Sequence, residues 1–219
     1  MSVLFVDLDG TLADRDDAVA RWAREIVAER GLDPSVVDQV LAADGRGLRP
    51  KPEVAADLVG VLGLSEQESA TIIEVLRAGV VRHVQLAPGV EDALARARQA
   101  GWTIIIVTNG ATHQQQAKLD KLGVVPMVDG YVISEECGVE KPDPAIFDLA
   151  LATVPGADRL GAWHIGDSAE ADIQGAHNAG INSVYLRHGR DWTPGIPAPT
   201  AFADSFSEAV DTVLTSSAG

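Results

Sequence analysis

Short runs of apolar, β-branched residues alternate with segments of helical periodicity, and this alternation constrains the fold more than any other feature. The clearest run, TIIIV at residues 103–107, is β-branched at every position, as expected of a strand covered on both faces. Further strand-like runs occupy residues 3–7, 131–133, 161–165 and 183–186. Strands that alternate with helices predict a parallel sheet sandwiched between helices, which is an α/β fold.

One long segment interrupts this alternation. Residues 14–85 contain no convincing strand, whereas apolar residues recur there at helical spacing. The predicted helices of this segment cover residues 16–30, 34–43, 53–62 and 66–78. A loop rich in glycine, proline and cations is predicted at residues 44–52. We therefore expect a core formed by residues 1–13 and 86–219, with a helical insert between them.

Composition narrows the possible partners. The chain of 219 residues has a formal net charge of −15, which argues against nucleic acid and anionic membranes, because both require basic patches. The single cysteine, Cys137, excludes an intramolecular disulfide. Since no basic segment followed by an apolar one opens the chain, and no apolar stretch could cross a bilayer, we expect a cytoplasmic location. The sequence does not distinguish a monomer from a homodimer.

Two carboxylates follow the first predicted strand, in the sequence DLDGT at residues 7–11. In an extended chain Asp7 and Asp9 would point the same way, into one small volume. Like charges so close repel unless a cation neutralises them, and hard oxygen ligands suit Mg²⁺. Gly10 allows the backbone to turn sharply at this point. The first residues therefore predict a metal-assisted carboxylate chemistry.

Three more polar clusters follow later strands. They are Thr108-Asn109-Gly110, Lys141-Pro142-Asp143, and Gly166-Asp167-Ser168 with Asp172 one turn further on. The carboxyl ends of parallel strands lie along one edge of a sheet, and ligands bind at that edge. We therefore expect these clusters to converge with the first one.

The order DxDGT, TNG, KPDP and GDSxxxD resembles the haloacid dehalogenase (HAD) superfamily, in its phosphatase-like branch, over nearly the whole chain. The resemblance implies a Rossmann-like core with a helical cap inserted after the first motif, which is the position of residues 14–85. It also implies a Mg²⁺-dependent hydrolase that cleaves a small phosphorylated metabolite through an aspartyl-phosphate intermediate.

The resemblance assigns a role to five charged residues of these motifs. Asp7 would be the nucleophile and a metal ligand, and Asp167 a second metal ligand. Asp9 would act as general acid and then general base, with its backbone carbonyl on the metal. Lys141 would offset the negative charge of Asp7 and of the transferring group. Asp172 would order a metal-bound water or Lys141 without binding the metal directly.

The resemblance also assigns the phosphate-binding groups. Thr108, Asn109 and Gly110, together with Lys141, would hold the phosphoryl oxygens. The chain departs from many relatives at Ala171, where a polar residue is common, and this leaves the hydrogen bonding around the metal ligands in question.

Three cations in the loop of the insert, Arg46, Arg49 and Lys51, stand out in so acidic a chain. They are candidates for contact with an anionic substrate, and a solvated loop is an equally good interpretation. The substrate itself is not identified by the pattern.

Four other interpretations compete with phosphate ester hydrolysis. A 2-haloacid dehalogenase uses the first aspartate as nucleophile but lacks the second, so Asp9 weighs against it, and against phosphonate hydrolysis for the same reason. A phosphoglucomutase-like phosphotransferase keeps Asp9 and stays open. A non-catalytic regulator on the same scaffold would have lost one of Asp7, Asp9, Lys141 or Asp167, and all four are present.

Overall fold

The computed structural model describes residues 2–156, 159–192 and 194–216. The chain divides into two compact units, a core unit of residues 1–13 and 86–219 and a helical unit, Asp14–Gln85. Within the described part of the chain, no helix combines the length and the apolar character needed to cross a bilayer.

The core unit is built on one six-stranded sheet. Its strands are β1 Val3–Val6, β2 Thr103–Thr108, β3 Gly130–Ile133, β4 Trp163–Gly166, β5 Asn182–Leu186 and β6 Ala201–Ala203. Their order across the sheet is β3-β2-β1-β4-β5-β6, and every neighbouring pair is parallel. The predicted α/β class is confirmed. The chain passes from β1 to β2 and β3 on one side and then returns to β4 on the other side of β1. The direction of the strand order therefore reverses at β1, and ligands bind at the carboxyl ends of the strands at such a point.

The helical unit contains five α-helices. They are α1 Arg15–Glu29, α2 Val36–Asp44, α3 Lys51–Leu62, α4 Glu66–Ser69 and α5 Ile72–His83, with a 3₁₀ turn at Gly45–Gly47. The prediction of one helix over residues 66–78 is wrong, because the N–H of Thr71 donates to the carbonyl of Glu68 and this tighter turn ends α4. The predicted loop at 44–52 is also too long, since α3 begins at Lys51 behind the rigid φ of a preceding proline, Pro50.

Within its described residues, the core unit has six α-helices beside the sheet. They are α6 Val90–Gln99, α7 Thr112–Leu122, α8 Ser134–Cys137, α9 Ala145–Ala152, α10 Gln174–Ala179 and α11 Phe206–Ser216, with a 3₁₀ turn at Val125–Met127. The α-helix predicted over residues 169–179 differs in its first five residues, Ala169–Ile173, which are π-helical. Such wide turns are frequent at functional sites.

Alternate side chains of the central strands enter different layers of the core. Val3 and Phe5 of β1 pack in one apolar cluster with Ile105 and Val107 of β2 and with Phe147 of α9. The rings of Phe5 and Phe147 meet edge to face, with centroids 5.2 Å apart. All four residues of β1 are fully buried, so the strand that ends at the acidic motif is held from both sides.

Candidate active site

The buried ammonium group of Lys141 connects three of the predicted motifs. Lys141 Nζ donates to Asp7 Oδ1, to Asp172 Oδ1 and to the carbonyl of Val107, each at 2.7 Å. Lys141 is 3% exposed and Asp172 is 1% exposed, so water does not screen these charges. The structure therefore brings the lysine of the third motif and the aspartates of the first and fourth into direct contact.

Asp167 completes a group of three carboxylates. Oxygens of Asp7, Asp167 and Asp172 lie within 4.8 Å of one another. Arg190, which follows β5, donates from Nη2 to Asp167 Oδ2 at 2.9 Å and to the Asp167 carbonyl at 2.7 Å. The group thus places three carboxylates against two cationic side chains.

Burial and mutual repulsion shift the proton equilibria of this group. Burial, followed by the charges of Asp172 and Asp167, raises the pKa of Asp7 to about 8 against the opposing charge of Lys141. Burial and the charge of Asp172 raise the pKa of Asp167 to about 6, although Arg190 lowers it. Two neighbouring carboxyl groups are therefore harder to ionise than ordinary aspartates.

The third carboxyl group behaves differently. Burial acts to raise the pKa of Asp172, but the charge of Lys141 and a hydrogen bond from His164 outweigh it, so this pKa lies below its usual value. Burial also acts to lower the pKa of Lys141, and the charges of Asp172 and Asp7 reverse that effect. Asp172 and Lys141 therefore form an ion pair inside the protein.

The three carboxylates suit a hard divalent cation, and they are not equivalent toward it. Both oxygens of Asp172 are engaged, Oδ1 by Lys141 and by His164 Nε2 and Oδ2 by the N–H of Ser168. Among the described residues, no donor bonds Asp7 Oδ2 or Asp167 Oδ1. Carboxylate oxygens are the ligands that Mg²⁺ prefers. One oxygen each of Asp7 and Asp167 is therefore open to a metal, whereas both oxygens of Asp172 already accept hydrogen bonds from the protein.

Two glycines let the motifs approach so closely. A Cβ on Gly10, which has φ of 79°, would stand 2.7 Å from the carboxyl carbon of Asp167. A Cβ on Gly166 would stand 2.2 Å from the same atom of Asp172. Both distances are shorter than non-bonded atoms allow, so these positions require glycine for the acidic residues to lie where they do.

The second motif is tied to the other motifs through its polar atoms. The side-chain amide of Asn109 donates to the Lys141 carbonyl at 2.8 Å and accepts from the Lys141 N–H at 2.9 Å. The N–H of Gly110 donates to Ser134 Oγ at 3.0 Å, and Thr108 Oγ1 accepts from Gln115 Nε2 at 2.6 Å. The side chain of Asn109 therefore positions Lys141, and phosphate binding by this motif stays a prediction.

Asp9 has a different cationic partner from Asp7, and the expectation that the two carboxyl groups share one volume stays a prediction. Asp9 is outside the group of three carboxylates, and Lys118 Nζ donates to its two oxygens at 2.8 and 2.6 Å. Strand geometry ends at Val6, and the N–H groups of Leu12 and Ala13 then donate to the carbonyl of Leu8, so the chain turns instead of continuing the alternation.

The cations of the helical unit have partners within that unit. Arg46 is ion-paired with Asp16, and Arg49 with Asp57 at 2.7 Å. Lys51 Nζ donates to the carbonyl of Gly47 at 3.3 Å. These pairs are largely exposed, where ion pairs are weak, so contact with a substrate stays a prediction for all three cations.

Four polar residues of the site were not found from the sequence: Gln115, Lys118, His164 and Arg190. The helix THQQQAKLDKL is mostly polar, and nothing in it marks Gln115 and Lys118 as buried alongside Leu119. His164 lies in an apolar strand and resembles a core residue, while Arg190 resembles a surface cation. Position is the sequence signal for three of them, since Gln115, Lys118 and His164 lie close to a motif. Arg190 lacks even this signal, because it lies beyond β5, 18 residues after Asp172.

Comparison with known proteins agrees with this geometry. A family model described as haloacid dehalogenase-like hydrolase matches residues 1–180. The phosphoglycolate phosphatase of Caulobacter vibrioides is 32% identical over 186 residues, which are 84% of this chain and 78% of that enzyme. The pyrimidine 5′-nucleotidase YjjG of Escherichia coli is 41% identical over 117 residues, about half of each protein (53% and 52%).

A solved structure shares the fold. The HAD-hydrolase YfnB from Bacillus subtilis, in a form bound to magnesium, superposes with a TM-score of 0.82 at 24% identity, covering 97% of this chain and 98% of YfnB. The family match covers most of the chain, and it includes all four motifs that meet at the sheet edge. The chain therefore belongs to the haloacid dehalogenase-like hydrolase family.

Proposed function

We propose that this protein is a Mg²⁺-dependent phosphatase that hydrolyses a small phosphorylated metabolite through an aspartyl-phosphate on Asp7. The observation that carries the proposal is the contact of Asp7 with Lys141 at 2.7 Å, beside the carboxylate of Asp167. Relatives that are at least 30% identical include a phosphoglycolate phosphatase and a pyrimidine nucleotidase, which supports a phosphate monoester as substrate.

In the first half-reaction, a carboxylate oxygen of Asp7 attacks phosphorus and the bond from phosphorus to the ester oxygen breaks. Asp9 donates its proton to the departing alkoxide, which leaves as an alcohol. In the second half-reaction, Asp9 takes a proton from water, the water oxygen bonds to phosphorus, and the acyl phosphate bond breaks. Inorganic phosphate leaves, and Asp7 is a free carboxylate again.

Lys141 offsets the charge that collects on Asp7 and on the phosphoryl oxygens, and its bonds to Asp172 and to the carbonyl of Val107 hold it in place. Mg²⁺ on Asp7, Asp167 and the backbone carbonyl of Asp9 would supply further positive charge next to the phosphoryl group. Without added cation the pKa of Asp7 is near 8, which keeps much of this carboxyl group protonated at neutral pH. We therefore expect the nucleophile to depend on the metal.

The rival activities differ from this one at identifiable residues. Asp9 supplies a proton that a halide leaving group does not need, so its presence favours ester hydrolysis over dehalogenation. A phosphotransferase would have to protect the acyl phosphate on Asp7 from water. We further propose that the helical unit is the cap that selects the leaving group, with Arg46, Arg49 and Lys51 as candidate contacts, and that the protein acts in the cytoplasm.

The test is a hydrolysis assay with a panel of phosphorylated metabolites, with Mg²⁺ and with EDTA, on the wild type and on Asp7→Asn. We expect the wild type to release phosphate only with Mg²⁺, and Asp7→Asn to lower kcat by about 10³-fold or more, as loss of a nucleophile does. The matched control is Asp120→Asn, which removes an exposed carboxylate from α7 and should keep full activity. Activity that survives both EDTA and Asp7→Asn would refute the proposal.

A comparison of kcat/KM across the panel then identifies the substrate class. Transfer of the phosphoryl group to a second sugar phosphate, with no release of phosphate, would assign a phosphotransferase instead.

A further inference from the structure

The carboxylate of Asp9 is held by a lysine that none of the four motifs contains. Lys118 Nζ donates to Asp9 Oδ1 at 2.8 Å, to Asp9 Oδ2 at 2.6 Å and to Gln115 Oε1 at 2.8 Å. These contacts use the three protons of the ammonium group. Lys118 is 2% exposed, whereas the side chain of Asp9 is 24% exposed. The lysine therefore holds, from inside the protein, a carboxylate that is open to the surface.

Gln115 extends this contact to the second motif. Its Nε2 donates to Asp9 Oδ2 at 3.0 Å and to Thr108 Oγ1 at 2.6 Å, and the residue is 1% exposed. Gln115 and Lys118 are three residues apart on α7, so they lie on the same face of the helix. One face of α7 thus connects the side chain of Asp9 with the end of β2.

A purely structural role does not account for this arrangement well. Burying an ammonium group costs several kcal/mol of desolvation, and an apolar side chain at the same position would fill the space without that cost. The carboxylate of Asp9 is partly exposed and could be solvated by water instead. The bonds between Asp9 and Lys118 do, however, restrict the rotation of the one side chain that must reach the leaving-group oxygen.

We infer that Lys118, with Gln115, is a positioning residue for Asp9, and that it sets where the Asp9 carboxyl group stands for proton transfer. The inference rests on the proposed phosphatase activity. Lys118 acts through Asp9 and is not itself a catalytic residue. Misplacing a general acid by about 1 Å can cost about 10²-fold in rate. Such a loss should depend on how much the leaving group needs a proton.

Two aryl esters separate positioning from stability. The leaving group of p-nitrophenyl phosphate departs readily as an anion, whereas that of phenyl phosphate needs more protonation in the transition state. The quantity to compare between the two esters is kcat/KM. It contains the steps up to release of the phenol and excludes hydrolysis of the acyl phosphate. A misplaced Asp9 should therefore slow phenyl phosphate more than p-nitrophenyl phosphate.

For Lys118→Met we expect kcat/KM to fall about tenfold further for phenyl phosphate than for p-nitrophenyl phosphate, within the range that general acid catalysis supplies. Gln115→Met keeps the ammonium group of Lys118 and removes the amide of Gln115. It should change the ratio of kcat/KM for phenyl phosphate to kcat/KM for p-nitrophenyl phosphate in the same direction, by a smaller factor. This second variant decides the matter if Lys118→Met does not fold. Lys121→Met, which removes an exposed lysine from the same helix, should leave the ratio unchanged.

The outcomes separate this inference from the proposed function. Equal losses for both esters in a folded Lys118→Met or Gln115→Met variant would overturn the positioning role and leave the phosphatase proposal intact. A wild type that hydrolyses neither these esters nor any phosphorylated metabolite would overturn both. A change in the ratio with an unchanged melting temperature would support the positioning role.

Discussion

Replacement of Lys141 by methionine should destabilise the protein in a pH-dependent manner. The substitution keeps an unbranched side chain of similar length and removes a buried ammonium group that makes three hydrogen bonds of 2.7 Å. Asp172, which is 1% exposed, then loses its cationic partner. His164 and the N–H of Ser168 still bond this carboxylate, but the ammonium that offset its charge is gone. The buried group then takes up a proton in the folded state, because that costs less than carrying the charge.

The magnitude follows from the cost of that protonation. The ordinary pKa of the Asp172 carboxyl group is 3.8, and each pH unit above it costs about 1.4 kcal/mol to keep the proton on. The cost is therefore about 4.5 kcal/mol at pH 7 and about 1.7 kcal/mol at pH 5. In the wild type the lowered pKa of Asp172 stabilises the folded state at pH values above the ordinary pKa of this group. In the variant the pKa of Asp172 is raised, which destabilises the folded state over the same pH range. The difference between the two proteins must then grow with pH.

The assay is urea unfolding in metal-free buffer at pH 5 and pH 7, followed by the fluorescence of the four tryptophans. Lys121→Met is the control, because loss of an exposed lysine should change the free energy of unfolding by no more than about 0.5 kcal/mol. A destabilisation by Lys141→Met that is the same at the two pH values would refute the reasoning about buried charge. A value near zero at pH 7 would refute it as well.

Three further predictions concern glycines and the metal. Gly10→Ala should weaken Mg²⁺ binding at least tenfold by calorimetry, because the new Cβ meets the carboxyl group of Asp167 at 2.7 Å; unchanged affinity would contradict this placement. Mg²⁺ should raise the melting temperature of the wild type and not that of Asp167→Asn, since only the folded site binds it. Gly79→Ala should destabilise the protein by about 1–3 kcal/mol despite the better helix propensity of alanine, because its Cβ would stand 2.0 Å from the Trp22 ring. Gly60→Ala, which has open space around it, should stabilise the protein slightly. Urea unfolding distinguishes the two.

The architecture of the core unit could be predicted from local patterns. A continuous β-branched run such as TIIIV at 103–107 is typical of a strand covered on both faces, and strands separated by helices pair in parallel. The edge at which ligands bind follows from that topology. The motifs directly after β1, β2 and β4 could therefore be assigned to one place before any coordinates were known.

Local patterns failed where a short contact within the backbone or a distant partner decides the outcome. The break between α4 and α5 depends on hydrogen bonds from the N–H and the hydroxyl of Thr71 to the carbonyl of Glu68, which an apolar pattern does not record. The cationic partner of Asp9 is Lys118, more than a hundred positions further along the chain, and a local pattern does not record such a contact.

The amino-acid sequence alone thus determines the α/β class, the position of the helical unit and the membership in a hydrolase family, because each depends on the order of residues or on their periodicity. Which charges meet is decided only by the tertiary structure. Asp7 pairs with Lys141 and Asp9 with Lys118 because folding packs segments that are far apart in the chain. A buried ion pair needs contact at about 3 Å, and residue order does not specify distances of that kind.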